Sequence, residues 1–256
     1  MTTALHVLPQ YQPLFRELAL DAAGVFTCPD IHIWRKLPDR ENGTLDTLIA
    51  GRPVRLHVKR YPTRAQADQE LQGHRLLEQA QIPTMTLAAF GHTIDNRSFV
   101  MFEDLAGYQP ADKLIAAGMD FDRLLTATAD LTAKLHNANL HHRDLYLCHF
   151  FAKIENDEPD IRLIDVARVA QLNNAFTRQR WIIKDLAQFW HSTQELQITD
   201  SQRESWLSRY AAQRGLKNTT SLHRRITKKS NAIARHDARL RARQPRRNIS
   251  IPSKPE

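Results

Sequence analysis

The sequence predicts an α+β protein made of a small β-rich N-terminal half and a helical C-terminal half. Three observations point there. Val54, Leu56 and Val58 alternate as in a half-buried strand, and Tyr61-Pro62 ends the run. Phe121, Leu124, Leu125, Thr128, Leu131 and Leu135 recur at spacings of three and four, the period of an amphipathic helix. The 256 residues are enough for one large domain or two small lobes, but not for three independent cores.

Taken in order, residues 31–60 read as β-rich. Residues 64–80 follow as a helix with Ala67, Leu71, Leu77 and Ala80 near one face and Pro83 as its stop. Two short apolar runs come next, Thr86 to Phe90 and Ser98 to Phe102, parted by the turn-like Asp95-Asn96. After Gly107 the pattern changes. The 121–135 helix has Asp120 as its expected N-cap. A polar segment, His141 to His149, then leads to a strand-like run, Ile161 to Ile164, and helices fit 178–191 and 203–213. This layout divides the chain into an N-terminal segment (1–30), a β-rich lobe (31–105), a helical lobe (106–223) and a basic C-terminal helix and tail (224–256).

Composition narrows the classes. Apolar residues make up 42% and charged residues 25%, which excludes a wholly disordered chain. No apolar run exceeds four residues, far short of the roughly 18 that a membrane span needs. Met1 to Gln10 lacks a basic cluster followed by an apolar stretch, so no secretory leader is expected, and two cysteines cannot form a disulfide framework. A reducing, cytoplasmic setting is the expectation. The net charge of +8 is unevenly spread: residues 224–256 carry +9, the remainder −1. Such an extension attracts phosphates on nucleic acid, anionic lipid or glycan, unless it is only a solvated helix face.

The segment richest in chemistry is His141-His142-Arg143-Asp144-Leu145-Tyr146-Leu147-Cys148-His149-Phe150, with Leu163-Ile164-Asp165 about twenty residues on. Phosphotransferases use one Asp on a catalytic loop to receive the acceptor hydroxyl's proton. A second Asp at a nearby strand end holds Mg²⁺ against the nucleotide phosphates. Asp144 and Asp165 fit those two places. Lys59, ending the strand that starts at Val54, has the position of a phosphate-gripping lysine. Its carboxylate partner is expected in the 64–80 helix, at Glu70 rather than Glu78. Four histidines, His136, His141, His142 and His149, invite a zinc reading, but neither H-E-x-x-H nor paired C-x-x-C is present. Cys148, between Leu147 and His149-Phe150, reads as a small buried residue rather than a nucleophile. No G-x-G-x-x-G occurs; Glu41-Asn42-Gly43 and Gly51 read as turns bracketing a hairpin whose backbone could cover phosphates.

The loop His142 to Phe150 resembles the catalytic loop of the lipopolysaccharide kinases, the Kdo/WaaP family, a branch of the protein-kinase-like fold. Val58-Lys59-Arg60, Arg75 to Thr84, Leu163 to Arg168 and Lys184-Asp185-Leu186-Ala187 are similar to further motifs of that family, and the likeness spans roughly residues 31–245. The resemblance implies a bilobal kinase fold and ATP- and Mg²⁺-dependent phosphorylation of a lipopolysaccharide inner-core sugar, Kdo or heptose. Carried over, Asp144 is the catalytic carboxylate and Asp165 the Mg²⁺ ligand. Lys59 contacts the α- and β-phosphates, oriented by Glu70. Phe102-Glu103-Asp104-Leu105 becomes the connection whose backbone holds adenine, which makes Glu103 an ATP-binding residue. Asp185 braces the catalytic loop, with Arg143 as support, by accepting its N–H groups. Five residues after the catalytic Asp, where protein kinases place a metal-binding Asn, this chain has His149, although Mg²⁺ prefers oxygen ligands.

Only 19 residues part Asp165 from Asp185, without an Ala-Pro-Glu between them, so the platform for an extended peptide is not expected and a compact hydroxylated acceptor is. The competing reading is a nucleic-acid-binding module on a degenerate kinase fold, or a kinase for another small substrate or a protein. Basic residues from Arg224 to Arg247 could track a phosphate backbone, but few aromatics interleave with them. The expected partners are thus the lipopolysaccharide core or its glycolipid precursor and, through residues 224–256, an anionic membrane surface on the cytoplasmic side.

Overall fold

A computed structural model describes residues 3–243; residues 244–256, the end of the basic extension, lie outside the described residues. The chain forms two compact units. The first runs to Gln72 and resumes at Met85–Ala106; the second takes Gly73–Thr84 and continues from Gly107.

In the first unit, β1 (Ala4–Val7), α1 (Gln12–Glu17) and α2 (Gly24–Thr27) precede β2 (Ile31–Leu37), β3 (Arg40–Ile49) and β4 (Arg52–Tyr61). Then come α3 (Arg64–Gln79), which ends in the second unit, β5 (Leu87–His92) and β6 (Ser98–Glu103). The strands make one antiparallel sheet in the order β1-β5-β6-β4-β3-β2. Alternation along β4 sends Val54, Leu56 and Val58 into a core completed by Tyr11, Leu14, Phe15, Leu20 and Val25. The first 30 residues therefore supply an edge strand and half of a hydrophobic layer. Residues of the opposite parity pack elsewhere: Tyr61 joins Val100 and Phe102 against Ala67 and Leu71 of α3.

One turn lies elsewhere than the sequence suggests. Glu41-Asn42-Gly43 is not a turn but the interior of β3, where Gly43 pairs with both Ile33 and Val58. A Cβ on Gly43 would meet Ile33 Cδ1 at 2.8 Å and His32 O at 2.9 Å, so glycine serves strand packing there. The β2–β3 turn is Pro38-Asp39. Gly51 does turn the chain: Ala50 and Gly51 both have positive φ (50° and 77°), as a two-residue hairpin between right-twisted strands requires.

The second unit contains β7 (Gln109–Pro110), α4 (Ala111–Ala116), α5 (Asp122–Asn137), β8 (Leu140–His141), β9 (Phe150–Glu155), β10 (Glu158–Leu163), β11 (Ala170–Gln171), α6 (Ala175–Thr193), α7 (Asp200–Gln213) and α8 (Thr220–Arg243). Helix α5 starts one residue later than expected, with Phe121 as its N-cap. Asp120 still accepts from Asp122 N at 3.0 Å. The core joins α5, α6 and α7 through an aromatic column: Phe150 edge-on to Phe189, Phe189 stacked on Trp206 at 4.1 Å, and Trp206 stacked on Tyr210. The buried Trp206 N–H is satisfied by Thr128 Oγ1 at 3.0 Å. Helix α8 lies along α6, fastened by His191–Asp237 at 3.4 Å and Ser230–Gln194 at 3.3 Å. The β9–β10 hairpin pairs Phe150 with Leu163, and Ile164 N donates to His149 O at 3.0 Å. The two ends of the hairpin, which carry His149 and Asp165, are thereby held side by side.

Gly73 in α3 lies against the backbone of Val166, where an added Cβ would stand 2.0 Å from the carbonyl oxygen. Alanine in place of a mid-helix glycine normally gains about 1 kcal/mol. Here overpacking against backbone costs roughly 1–3 kcal/mol or more. Gly73→Ala is therefore expected to lower the thermal midpoint; a variant melting above the wild type would show that α3 does not lie this close to the 166–168 turn.

Candidate active site

In the second unit the loop from His142 to His149 is built around one carboxylate. Asp185, fully buried in α6, accepts from His142 N at 2.7 Å with Oδ2 and from Arg143 N at 2.8 Å with Oδ1. His136 Nε2 stands 3.5 Å from the same Oδ2, and its Nδ1 is 2.8 Å from the Tyr210 hydroxyl. Burial pushes the Asp185 carboxyl up, but the His136 hydrogen bond and charge, together with the loop N–H groups, more than offset it and hold the pKa below the usual range. The loop needs this support, because Arg143 is held at φ +71°, a left-handed conformation unfavourable for a side chain of its size.

The rest of one α6 face serves the same loop. Lys184 donates to Arg143 O, Gln188 Oε1 accepts from Leu145 N at 3.3 Å, and Ser192 Oγ accepts from Leu147 N at 2.9 Å. Positions 184, 188 and 192 recur every four residues, so they share one stripe. Asp144, between these contacts, is 19% exposed. Arg168 approaches both its oxygens at 3.0 and 2.9 Å, Lys184 Nζ stands 3.9 Å from Oδ1, and Gln188 Nε2 is 3.4 Å from Oδ1.

The second acid, Asp165, has φ +59° and a side chain 38% exposed. His142 ties the two acid-bearing segments together: its buried ring, kept neutral by burial, meets Ile164 O at 3.0 Å through Nε2. His149 Nδ1 is 2.6 Å from Asp144 O, which can only accept, so this nitrogen carries the proton. In the neutral ring the Nε2 lone pair then faces Asp165 Oδ2 at 3.8 Å. These two groups would be the ones to hold a divalent ion here, Asp165 offering the oxygen that Mg²⁺ prefers. Among the described residues no three His, Cys, Asp or Glu side chains gather at metal-binding distance. Burial raises the Cys148 thiol to about 12, so no thiolate stands beside these groups near neutral pH.

The first unit places Lys59 Nζ 2.5 Å from Glu70 Oε1, and Tyr61 OH donates to Glu70 Oε2. Glu70 is fully buried, whereas Glu78, the alternative considered, is exposed and pairs with His74 at 3.3 Å, and Asp68 of the same helix is exposed and pairs with Arg64 at 3.3 Å. The Glu103 carboxylate is engaged by Tyr11 OH and by Arg52 at 2.9 Å. The Glu103 N–H donates to Thr86 O and the Asp104 N–H to Arg55 O, so both amides are used within the unit. Sequence reasoning passed over Tyr61, Arg168, Lys184, Gln188 and Ser192. Arg168 and Lys184 lie in the family-like segments Leu163 to Arg168 and Lys184 to Ala187, but nothing in a linear pattern says which side chains turn toward Asp144.

Comparison with known proteins gives the family and the fold. Residues 55–210 match the model of the Lipopolysaccharide kinase (Kdo/WaaP) family. The lipopolysaccharide core heptose(I) kinase WaaP of Pseudomonas aeruginosa is 33% identical over 164 residues, 56% of this chain and 59% of that protein. Its namesake from Escherichia coli is 30% identical over 155 residues, 55% of this chain and 57% of that protein. The match thus spans less than two thirds of these relatives' length. Among solved structures, WaaP in complex with acyl carrier protein superposes with a TM-score of 0.69 at 25% identity, covering 90% of this chain and 99% of that one. An aminoglycoside-3'-phosphotransferase of type VIII shares the fold, with a TM-score of 0.52 at 15% identity over 81% and 97% of the two chains. The fold is that of the protein-kinase-like phosphotransferases. Within that class, the chain belongs to the lipopolysaccharide kinase (Kdo/WaaP) family.

Replacing Asp185 with Asn leaves one oxygen for two loop N–H groups and turns an NH₂ toward the other. Unfolding experiments at pH 7 should register a loss of roughly 2–4 kcal/mol. Because the folded-state pKa is depressed, the wild type loses this contribution as pH falls through that value, so the gap between the two proteins should narrow in acid. Equal stability at pH 7 would refute the bracing role.

Proposed function

We propose that this chain is an ATP-dependent kinase that phosphorylates a sugar hydroxyl of the lipopolysaccharide inner core, a heptose in preference to Kdo. The observation that carries the proposal is the pair Asp144 and Asp165 on loops tied together by His142 and braced by Asp185, in a member of this family. The choice of heptose rests on the names of the related kinases.

In this reading Asp144 orients the acceptor hydroxyl and receives its proton as the new O–P bond forms. Arg168, whose Nη1 alone meets both Asp144 oxygens, must release them at that stage, since a carboxylate held by a cation at both oxygens is a poor base. Lys59, held by Glu70, contacts the α- and β-phosphates, and the segment around Glu103 borders the adenine. Asp165 and His149 would hold Mg²⁺, which when bound supplies neutralisation of the β- and γ-phosphate charge. Asp144→Ala is expected to cut kcat at least 10²-fold while nucleotide affinity changes little. Turnover near the wild-type level in that variant would remove Asp144 from the chemistry.

The acceptor is a glycolipid, and α8 has the charge to meet its membrane. Arg224, Lys228, Arg235 and Arg239 are exposed and recur at intervals of four, seven and four, while Ile226 and Ser230 face inward, so the cations form one solvent-facing stripe. Each such residue near an anionic bilayer contributes about 1 kcal/mol. No helix among the described residues is long and apolar enough to cross a membrane, so attachment through α8 would be peripheral. Changing these four residues to Gln should weaken flotation with anionic liposomes at low salt and leave ATP affinity intact. Binding indifferent to salt or to lipid charge would contradict an electrostatic anchor.

A further inference from the structure

More positive charge converges beside Asp144 than the protein itself neutralises. Trp181, in the first half of α6, is the centre of the cluster. His141 stacks on its ring at 5.0 Å, and three cations stand over the ring: Arg143 Cζ at 4.6 Å, Arg180 Cζ at 5.5 Å and Lys184 Nζ at 5.8 Å from the centroid. Arg168 adds a fourth cation through Asp144. Against these stand few carboxylates. Asp144 is shared between Arg168 and Lys184, and Asp185 is buried and already satisfied by the loop amides. Neither Arg143 nor Arg180 forms an ion pair among the described residues. Arg143 Nε is buried without a hydrogen-bond partner, and Arg180 is exposed.

Burial lowers His141 to about 4; the Asp185 charge opposes this, and the charges of Arg143 and Lys184 add to it. Burial likewise lowers Lys184, helped by Arg168 and Arg143 and opposed by Asp144. Keeping like charges this close without a counter-ion is unfavourable unless something anionic joins them. Guanidinium groups gathered around an aromatic ring also suit an acidic substituent on a sugar.

We propose that Arg143, Arg180, Lys184 and Trp181 form the acceptor subsite, which recognises an anionic group, carboxylate or phosphate, on the sugar unit adjoining the hydroxyl to be phosphorylated. This rests on the kinase reading above and deepens it: the acceptor is selected for its charge, not only for its hydroxyl. Arg180 and Trp181 determine acceptor specificity. Lys184 and Arg143 also hold the loop, so they are poorer probes.

The test is titration calorimetry of the full chain with deacylated inner-core oligosaccharide in three forms: untreated, with its carboxyl groups reduced to alcohols, and with its phosphates removed. Wild type is expected to bind the untreated form at least tenfold more tightly than one of the two depleted forms, and which one it is identifies the anion. Arg180→Gln and Trp181→Leu should lose that discrimination, Arg180→Lys should keep part of it, and the two Arg180 variants should retain the wild-type melting temperature and nucleotide affinity. Equal binding of all three forms by the wild type overturns the proposal, as does undiminished discrimination in Arg180→Gln or failure to bind the untreated form. Discriminating binding without phosphate transfer from added ATP to inner-core oligosaccharide lacking heptose phosphate would uphold the subsite and reject the kinase reading.

Discussion

The acid-bearing loops of the second unit depend on placing a carboxylate in the core of a helical bundle. Asp185 has no exposure to water, and a lone buried charge would be heavily penalised. It is tolerated because the His142 and Arg143 amides and His136 supply it with donors at 2.7, 2.8 and 3.5 Å. The constraint acts in both directions. The amides that satisfy the carboxylate belong to a loop whose Arg143 sits in an unfavourable backbone region, and only a strong acceptor holds that conformation. Asp144, the next residue, inherits its position from this exchange.

Further order spreads outward from α6. The stripe of Lys184, Gln188 and Ser192 meets the loop at Arg143, Leu145 and Leu147 in turn, so helix periodicity is converted into spacing along an irregular segment. Phe189 and Trp190 on the opposite side bind α6 into the aromatic column and to α8, which keeps that ruler rigid. His142 and the β9–β10 hairpin then fix Asp165 relative to Asp144. In the first unit a separate device does comparable work: Glu70, also fully buried, is shared by Lys59 and Tyr61.

How much of this was legible depended on how local the signal is. The alternation in β4 and the spacing in α5 are physical periods written directly into the chain, and both elements formed close to where they were expected. Lys59 and Glu70 could be paired because a strand-end lysine followed by a helix leaves few carboxylates within reach. Gly43 was misread because a glycine after Glu-Asn looks the same in a turn and in a strand; only the neighbouring Ile33 side chain tells them apart. The packing of residues 1–30 was illegible, since β1 pairs with β5 some eighty residues later. The cations around Asp144 were hidden for the same reason, Arg168 lying 24 and Lys184 40 positions away.

The central claim is that a loop held by a buried carboxylate presents Asp144 to a sugar hydroxyl for phosphoryl transfer. It is tested most directly by mass spectrometry of inner-core oligosaccharide lacking heptose phosphate, incubated with the purified chain, ATP and Mg²⁺. The account predicts the gain of one phosphate, localised to a heptose and absent when ATP or Mg²⁺ is withheld. An oligosaccharide that stays unmodified while the chain binds it together with ATP would contradict the account.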